Sequence, residues 1–407
     1  MSRHCMPPSL HSHPGHRSVR VHRGLLRLLA LCAALCCMPA MARLPSAAEL
    51  DAEVAAAMQA TEARGLAIAV IDKGRVQYTR SYGERNTAGQ PLQTDTIMYG
   101  ASLTKAAFAY MVMQLVDEGR LDLDRPIAEY LDRPLPSYPD EEGYGPWRDL
   151  ADDQRWRLLT PRILLTHSAG FANFAFLEPD GKLRMHFDPG TRYAYSGEGL
   201  ILLQFVLHRG LGLDVGAEMQ RRVFDRLGMT RTSMTWRADF ADNLADGWDI
   251  GGTPQPHDER SRVRAAGSMD TSLDDIARLA AGYVRGDGLS AKARAELVRA
   301  QLPITSLSQF PSLQPELAPK QRHKHLASGL GVIRFQGPQG IGFMKGGHND
   351  ITANTWVCVE RGQRCVVILA NDVRAEPAFP RLVAFVLGNT NAPWRWEYGT
   401  MTFWKHE

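Results

Sequence analysis

The stretch Ala106 to Val116 reads Ala-Ala-Phe-Ala-Tyr-Met-Val-Met-Gln-Leu-Val. It is apolar nearly all round, which predicts a helix buried on every side, one that the rest of the chain must surround. The helix is expected over residues 102–118 and is closed by Gly119, the residue type favoured just past a helix end. Directly at its start stands Ser102-Leu103-Thr104-Lys105. The chain has eight lysines, and only Lys105 has a serine three positions before it. Residues three apart share a helix face, roughly 5–6 Å between Cβ atoms. A hydroxyl and an amine are therefore expected to meet at the mouth of a buried helix, near its positive end. Desolvation there would lower the amine's pKa and leave it able to act as a base.

The remaining elements sort by position. Residues 65–82 read strand, turn, strand around Asp72-Lys73-Gly74. Residues 133–157, rich in Pro, Gly and charge, predict a long surface loop. Thr160-Pro161 predicts an N-cap and first helical residue, opening a short helix to Leu165. Helices are expected over 199–207 and 215–227. Another should start from a capping box at Ser272-Leu273-Asp274-Asp275 and run to about Val284. Residues 303–324 lack periodicity and predict a loop beside a cleft. Strands follow at about 329–335, 341–345, 351–360 and 364–370, then a helix over about 377–387. Strands thus lie at both ends and helices in the middle. The expected class is α+β: an antiparallel sheet built from both chain ends and flanked by helices, with an inserted, mainly helical lobe.

Residues 1–42 read as a cleaved secretory leader. They carry five arginines and no acid, an apolar run from Leu28 to Met38 too short to span a bilayer, and Ala40-Met41-Ala42 as a cleavage site. A lipoprotein anchored through Cys32, Cys36 or Cys37 is the less favoured reading. Loss of this segment would leave 365 of 407 residues and move the formal charge from +3 to −2. The basic balance therefore belongs to the leader, and nothing global points to nucleic acid. A length of 365 exceeds what one core usually organises, about 250–300 residues. The expected division is a sheet lobe at about 50–100 and 265–390, a helical lobe at about 101–264, and an aromatic tail at 391–407. Four cysteines, Cys5, Cys32, Cys36 and Cys37, lie in the leader. Cys358 and Cys365 flank a predicted hairpin turn, where an oxidising compartment would permit a bridge; two buried thiols are the other reading.

Three ordered elements, Ser102 to Lys105, Tyr195-Ser196-Gly197 and Lys345-Gly346-Gly347, resemble the serine β-lactamase and penicillin-binding protein superfamily. The likeness is to its class C β-lactamase-like branch, which includes family VIII esterases and D-amino-acid peptidases. Leu164-Leu165-Thr166-His167-Ser168-Ala169-Gly170 and the Asp188-Pro189-Gly190 run before Tyr195 are also similar, and the likeness covers about residues 50–388. It implies a β-lactamase/transpeptidase-like fold and an acyl-serine mechanism. Ser102 would be the nucleophile, Lys105 the proton acceptor and Tyr195 the proton relay, with Lys345 keeping the field positive and lowering the tyrosine's pKa. The backbone N–H groups of Ser102 and His348 would form the oxyanion hole, and Gly346, Gly347, His348 and Asn349 would line the substrate site. Neither a metal nor an organic cofactor is required. Two departures stand out. Gly197 replaces an asparagine that would hold a substrate's acylamino carbonyl, and Gly346 replaces a threonine that would help hold a substrate carboxylate. Both losses weaken recognition of carboxylated, peptide-like substrates.

The resemblance therefore implies an exported serine hydrolase of small acyl substrates, esters ahead of amides. A D-amino-acid or DD-peptidase and a weak β-lactamase are alternatives, and a non-catalytic binder of penicillins or cell-wall fragments is a further one. His167 is expected to be structural, and Tyr193 rivals Tyr195 two residues away. The tail, Trp394-Arg395-Trp396-Glu397-Tyr398 to Phe403-Trp404, is expected to pack on the sheet. The sequence leaves oligomeric state open.

Overall fold

A computed structural model describes residues 43–140 and 144–399, all within one compact unit. The leader with its four cysteines lies outside the described residues, as do Phe403 and Trp404. The centre is an antiparallel sheet of β1 (Gly65–Asp72), β2 (Arg75–Gly83), β3 (Leu302–Pro303), β4 (Ala327–Ser328), β5 (Ile333–Gly337), β6 (Gly340–His348), β7 (Ala353–Val359) and β8 (Arg364–Ala370). Their spatial order is β2-β1-β8-β7-β6-β5-β4-β3. The two chain ends therefore meet at the β1–β8 pair, where Ile68 faces Ile368. The turn between β1 and β2 places Lys73 and Gly74 at φ 52° and 68°, the pair of positive φ values that a tight two-residue hairpin demands.

Strands with both faces covered read as continuous apolar runs rather than alternating ones. On one face Ala67, Ala69, Ile71, Trp356, Cys358, Val367 and Leu369 join a core with the helical region. On the other Leu66, Ile68, Val70, Val357, Val366 and Ile368 pack under α1 (Ala47–Thr61) and the later helix Phe379–Leu387. Helix α2 (Leu103–Asp117) runs through the first core, with every residue from Leu103 to Leu115 buried. Each large apolar side chain so buried contributes roughly 1.5–3 kcal/mol. Around it stand α3 (Pro161–Leu165), α4 (Gly197–Leu211), α5 (Val215–Leu227), α6 (Leu273–Arg285) and α7 (Ala291–Val298), and α8 (Phe379–Leu387) and α9 (Trp394–Tyr398) are the last helices among the described residues. Among the described residues no single helix is long and apolar enough to cross a membrane.

Several expectations need correction. The described residues of 133–157 are not a surface loop. They include short 3-10 turns, and Leu135, Tyr138, Trp147, Leu150 and Trp156 are buried. Tyr138 and Trp147 pack on Phe205, with centroids 5.0 and 5.7 Å away. Proline and glycine there break helices without keeping aromatic side chains out of the core. The strand expected from 329 starts at Ile333. Gly329 to Gly331 turn beneath α2 instead, and a Cβ on Gly331 would stand 2.6 Å from the Ala109 methyl. Ser272 caps α6 by accepting from Asp275 N at 3.3 Å. The Asp275 carboxylate accepts from Arg231 N, Thr232 and Arg278 instead of completing a capping box. Of the two readings of the hairpin cysteines, the bridged one holds. Cys358 lies opposite Cys365 across β7 and β8, and the two are joined as a disulfide.

Candidate active site

The site begins where the chain enters α2. Ala101 has φ 47°, a left-handed conformation costly for a residue with a Cβ, on the order of 1–3 kcal/mol. This bend is pinned from behind. Gly100 N donates to Met269 O at 2.9 Å, and Thr104 Oγ1 donates to Ala101 O at 2.6 Å. Ser102 begins the helix without capping it through its side chain, so its hydroxyl is free to face the cavity. One turn on, Lys105 Nζ lies 3.0 Å from Ser102 Oγ and donates to Ala266 O at 2.5 Å. Lys105 is 1% exposed. Burial, and behind it the charge of Lys345, holds its amine well below the usual lysine range.

Tyr195 arrives from a loop locked at several points. Its phenol donates to Ser102 Oγ at 2.8 Å. Its carbonyl accepts from Ser312 Oγ at 2.7 Å, and its ring lies 4.6 Å from His167 and 5.1 Å from Phe310. Ser196 N donates to His167 Nδ1 at 3.2 Å. Burial, then Lys105 and Lys345, lower the His167 pKa well below the usual histidine range, which leaves a neutral ring suited to accept that bond. Tyr193 points elsewhere, with its hydroxyl donating to Gln309 Oε1 at 2.7 Å. Geometry thus separates two tyrosines that spacing did not.

Strand β6 forms the opposite wall. Lys345 Nζ lies 3.4 Å from the Tyr195 hydroxyl and donates to Gly346 O at 2.8 Å. The Lys105 and Lys345 amines each stand 4.9 Å from the Tyr195 ring centre. Burial brings Lys345 down to about 8, against the upward pull of Glu397. One sequence expectation fails here. The Tyr195 pKa is raised, not lowered, because burial of the phenol outweighs the hydrogen bond to Ser102. The resting site therefore holds a protonated phenol beside an amine whose charge burial disfavours. Gly347 lies against the helix start, where a Cβ would stand 3.1 Å from Ser102 N. The Gly347–His348 backbone consequently runs beside the Ser102 amide. His348 Nδ1 is 3.3 Å from Glu376. Burial lowers its pKa, but Glu376 and Glu397 outweigh that and raise it. Asn349, at the strand end, accepts through Oδ1 from Ile351 N at 3.1 Å and lines the same cavity.

That cavity has a volume of about 370 Å³ and is lined by all of the residues expected at the site: Ser102, Lys105, Tyr195, Lys345, Gly346, Gly347, His348 and Asn349. Sequence reasoning missed Asn173, Phe174, Arg264, Phe310 and Glu397, which complete its wall. The two unexpected glycines now have local causes. A Cβ on Gly197 would run into the Phe174 ring, and one on Gly346 would run into the Glu397 carboxylate and stand 2.8 Å from the Tyr398 hydroxyl. Among the described residues no three His, Cys, Asp or Glu side chains converge as a metal ligand set.

The profile described as beta-lactamase matches residues 50–389. The chain belongs to the beta-lactamase family. It is 29% identical over 225 residues to a lovastatin esterase of Penicillium rubens, covering 48% of this chain and 56% of that protein. It is likewise 29% identical over 210 residues to esterase EstB of Burkholderia gladioli, covering 45% and 50%. The match spans about half the length of these curated relatives. Among solved structures, the octameric penicillin-binding protein homologue from Pyrococcus abyssi superposes with a TM-score of 0.66 at 20% identity, covering 85% of this chain and 78% of that one. That likeness is one of fold.

Proposed function

We propose that this member of the beta-lactamase family is an exported serine hydrolase that works through an acyl-serine intermediate, on esters ahead of amides. One observation carries the reading: Ser102 Oγ lies between the buried Lys105 amine at 3.0 Å and the Tyr195 phenol at 2.8 Å. In acylation Lys105 takes the hydroxyl proton while Oγ attacks the substrate carbonyl. Tyr195 gives its proton to the leaving oxygen, and the Lys345 ammonium, 3.4 Å away, stabilises the phenolate. In deacylation the phenolate takes a proton from the attacking water, and Lys105 returns its proton to Oγ. The amides of Ser102 and His348 would hold the carbonyl oxygen, a role whose donors typically contribute about 3–4 kcal/mol each. The ester preference rests on the two glycines and on the esterases among the relatives. Export is supported by the leader pattern of residues 1–42 and by the bridged hairpin cysteines.

The test is turnover of 4-nitrophenyl butyrate by wild type and Ser102→Ala, beside a D-Ala-D-Ala peptide and a cephalosporin. The expected result is ester turnover that Ser102→Ala abolishes. Turnover that survives Ser102→Ala contradicts the mechanism. Stable labelling of Ser102 without turnover would instead mark a binder.

A further inference from the structure

The tail does more than pack on the sheet. Helix α9 buries Trp396, whose indole donates to Ser306 Oγ at 3.2 Å, while its carbonyl accepts from Gln309 N at 2.9 Å. Tyr398 donates to Asn354 O on β7 at 3.3 Å. Held between these two anchors, Glu397 is 3% exposed and lines the cavity of Ser102. Its Oε2 has no hydrogen-bond partner. A buried carboxylate is costly unless it is compensated. Burial raises the Glu397 pKa, outweighing Lys345 and His348, which favour its charged form. The carboxylate also fills the space above Gly346, where any side chain would collide with it.

We propose that Glu397 is a specificity-determining residue of the Ser102 pocket: its carboxylate occupies the ground beside Lys345 and Gly346 that an anionic part of a substrate would take, so the pocket selects substrates uncharged along β6 and rejects those carrying a carboxylate there. The inference rests on the hydrolase reading above. A substrate carboxylate would have to enter ground that the Glu397 side chain already fills, beside an oxygen with no donor of its own, and when Glu397 is ionised like charges repel strongly there. The Lys345 charge that could attract it is already favoured by Glu397, which pulls the Lys345 pKa upward. Uncharged substrates meet neither obstacle, and a hydroxyl or amide N–H along this wall gains an acceptor in Oε2.

The test compares kcat/KM for matched anionic and neutral esters at about pH 7. One pair places the carboxylate on the acyl side: mono-4-nitrophenyl adipate against 4-nitrophenyl hexanoate. The other places it on the leaving group: 4-carboxyphenyl butyrate against phenyl butyrate. In Glu397→Gln the anionic-to-neutral ratio is expected to rise about tenfold or more for at least one pair. Should that variant not fold, Glu397→Asp, which withdraws the charge by one methylene, is expected to show a smaller rise. A ratio unchanged for both pairs overturns the proposal. Ester turnover that persists in Ser102→Ala overturns the hydrolase reading, so the two failures are distinguishable.

Discussion

Lys105 hydrogen-bonds a hydroxyl and a backbone carbonyl, and neither compensates a charge on its amine. Its charge is disfavoured in that setting, so under the proposed mechanism Lys105→Ala should slow fluorophosphonate labelling of Ser102 by about 10²–10⁴-fold while leaving the thermal melt cooperative. Labelling at the wild-type rate would remove Lys105 as the base. In the proposed mechanism Lys345 has the opposite duty, because its proton must stay on to steady the phenolate. With its pKa near 8, it loses that proton as pH rises through that value, and kcat/KM should fall above about pH 8. Glu397 raises the Lys345 pKa. Neutralising it in Glu397→Gln should therefore move this alkaline limb to lower pH, and a pH–rate profile checks the sign. A limb that stays in place or moves up would disconnect the two groups. At this scale the sequence was informative about which hydroxyl and amine meet, since a lone serine–lysine spacing ahead of an apolar helix allows few other environments. It was silent on Glu397, whose only local signal is an acid set among aromatics, Trp396 and Tyr398, in a segment with no partner nearby in the chain.

The elements that carry the site divide by how locally they are encoded. Helix α2, the β1–β2 hairpin and the Thr160–Pro161 start of α3 were legible because caps, turn residues and apolar pattern agree over short distances. Thr160 accepts from Ile163 N at 3.3 Å, and Gly119 has φ 70°. The turns within 133–157 were not legible, because their order comes from burial of Trp147 and Trp156 against distant helices rather than from their own pattern. The contact between α9 and β6 belongs to the second kind, and it explains why position 346 is a glycine. Gly346→Ala is expected to cost about 1–3 kcal/mol by overpacking. Truncating the carboxylate in the same chain, Glu397→Ala, should recover part of it, giving a coupling of at least about 0.5 kcal/mol between the two sites. Urea melts of the two single variants and the double variant measure this. Strict additivity would show that the tail does not press on the strand.

Across the whole molecule, one sheet separates two cores, and the site opens where α2, β6 and the Tyr195 loop converge. The first core surrounds α2, and the second lies under α1, α8 and the tail. The α+β class and the meeting of chain ends in one sheet could be read from strands at both ends of the sequence. The strand order could not, because pairing is set by contacts hundreds of residues apart. Trp396 belongs to the second core and also ties the 303–324 loop to the sheet. Trp396→Ala should therefore destabilise the fold by about 3–5 kcal/mol and loosen the Phe310 wall, raising KM for esters. A melting temperature within a degree or two of wild type would show that the tail is a passenger.

In the proposed mechanism four side chains from three separate parts of the chain act as one acyl-transfer device centred on the Ser102 hydroxyl. Acid-quenching the protein during turnover of 4-nitrophenyl butyrate, followed by peptide mass spectrometry, examines that claim directly. A butyryl adduct on the peptide bearing Ser102, absent from Ser102→Ala, is the expected outcome. An adduct on another residue, or full turnover by a protein that never carries one at Ser102, would contradict it.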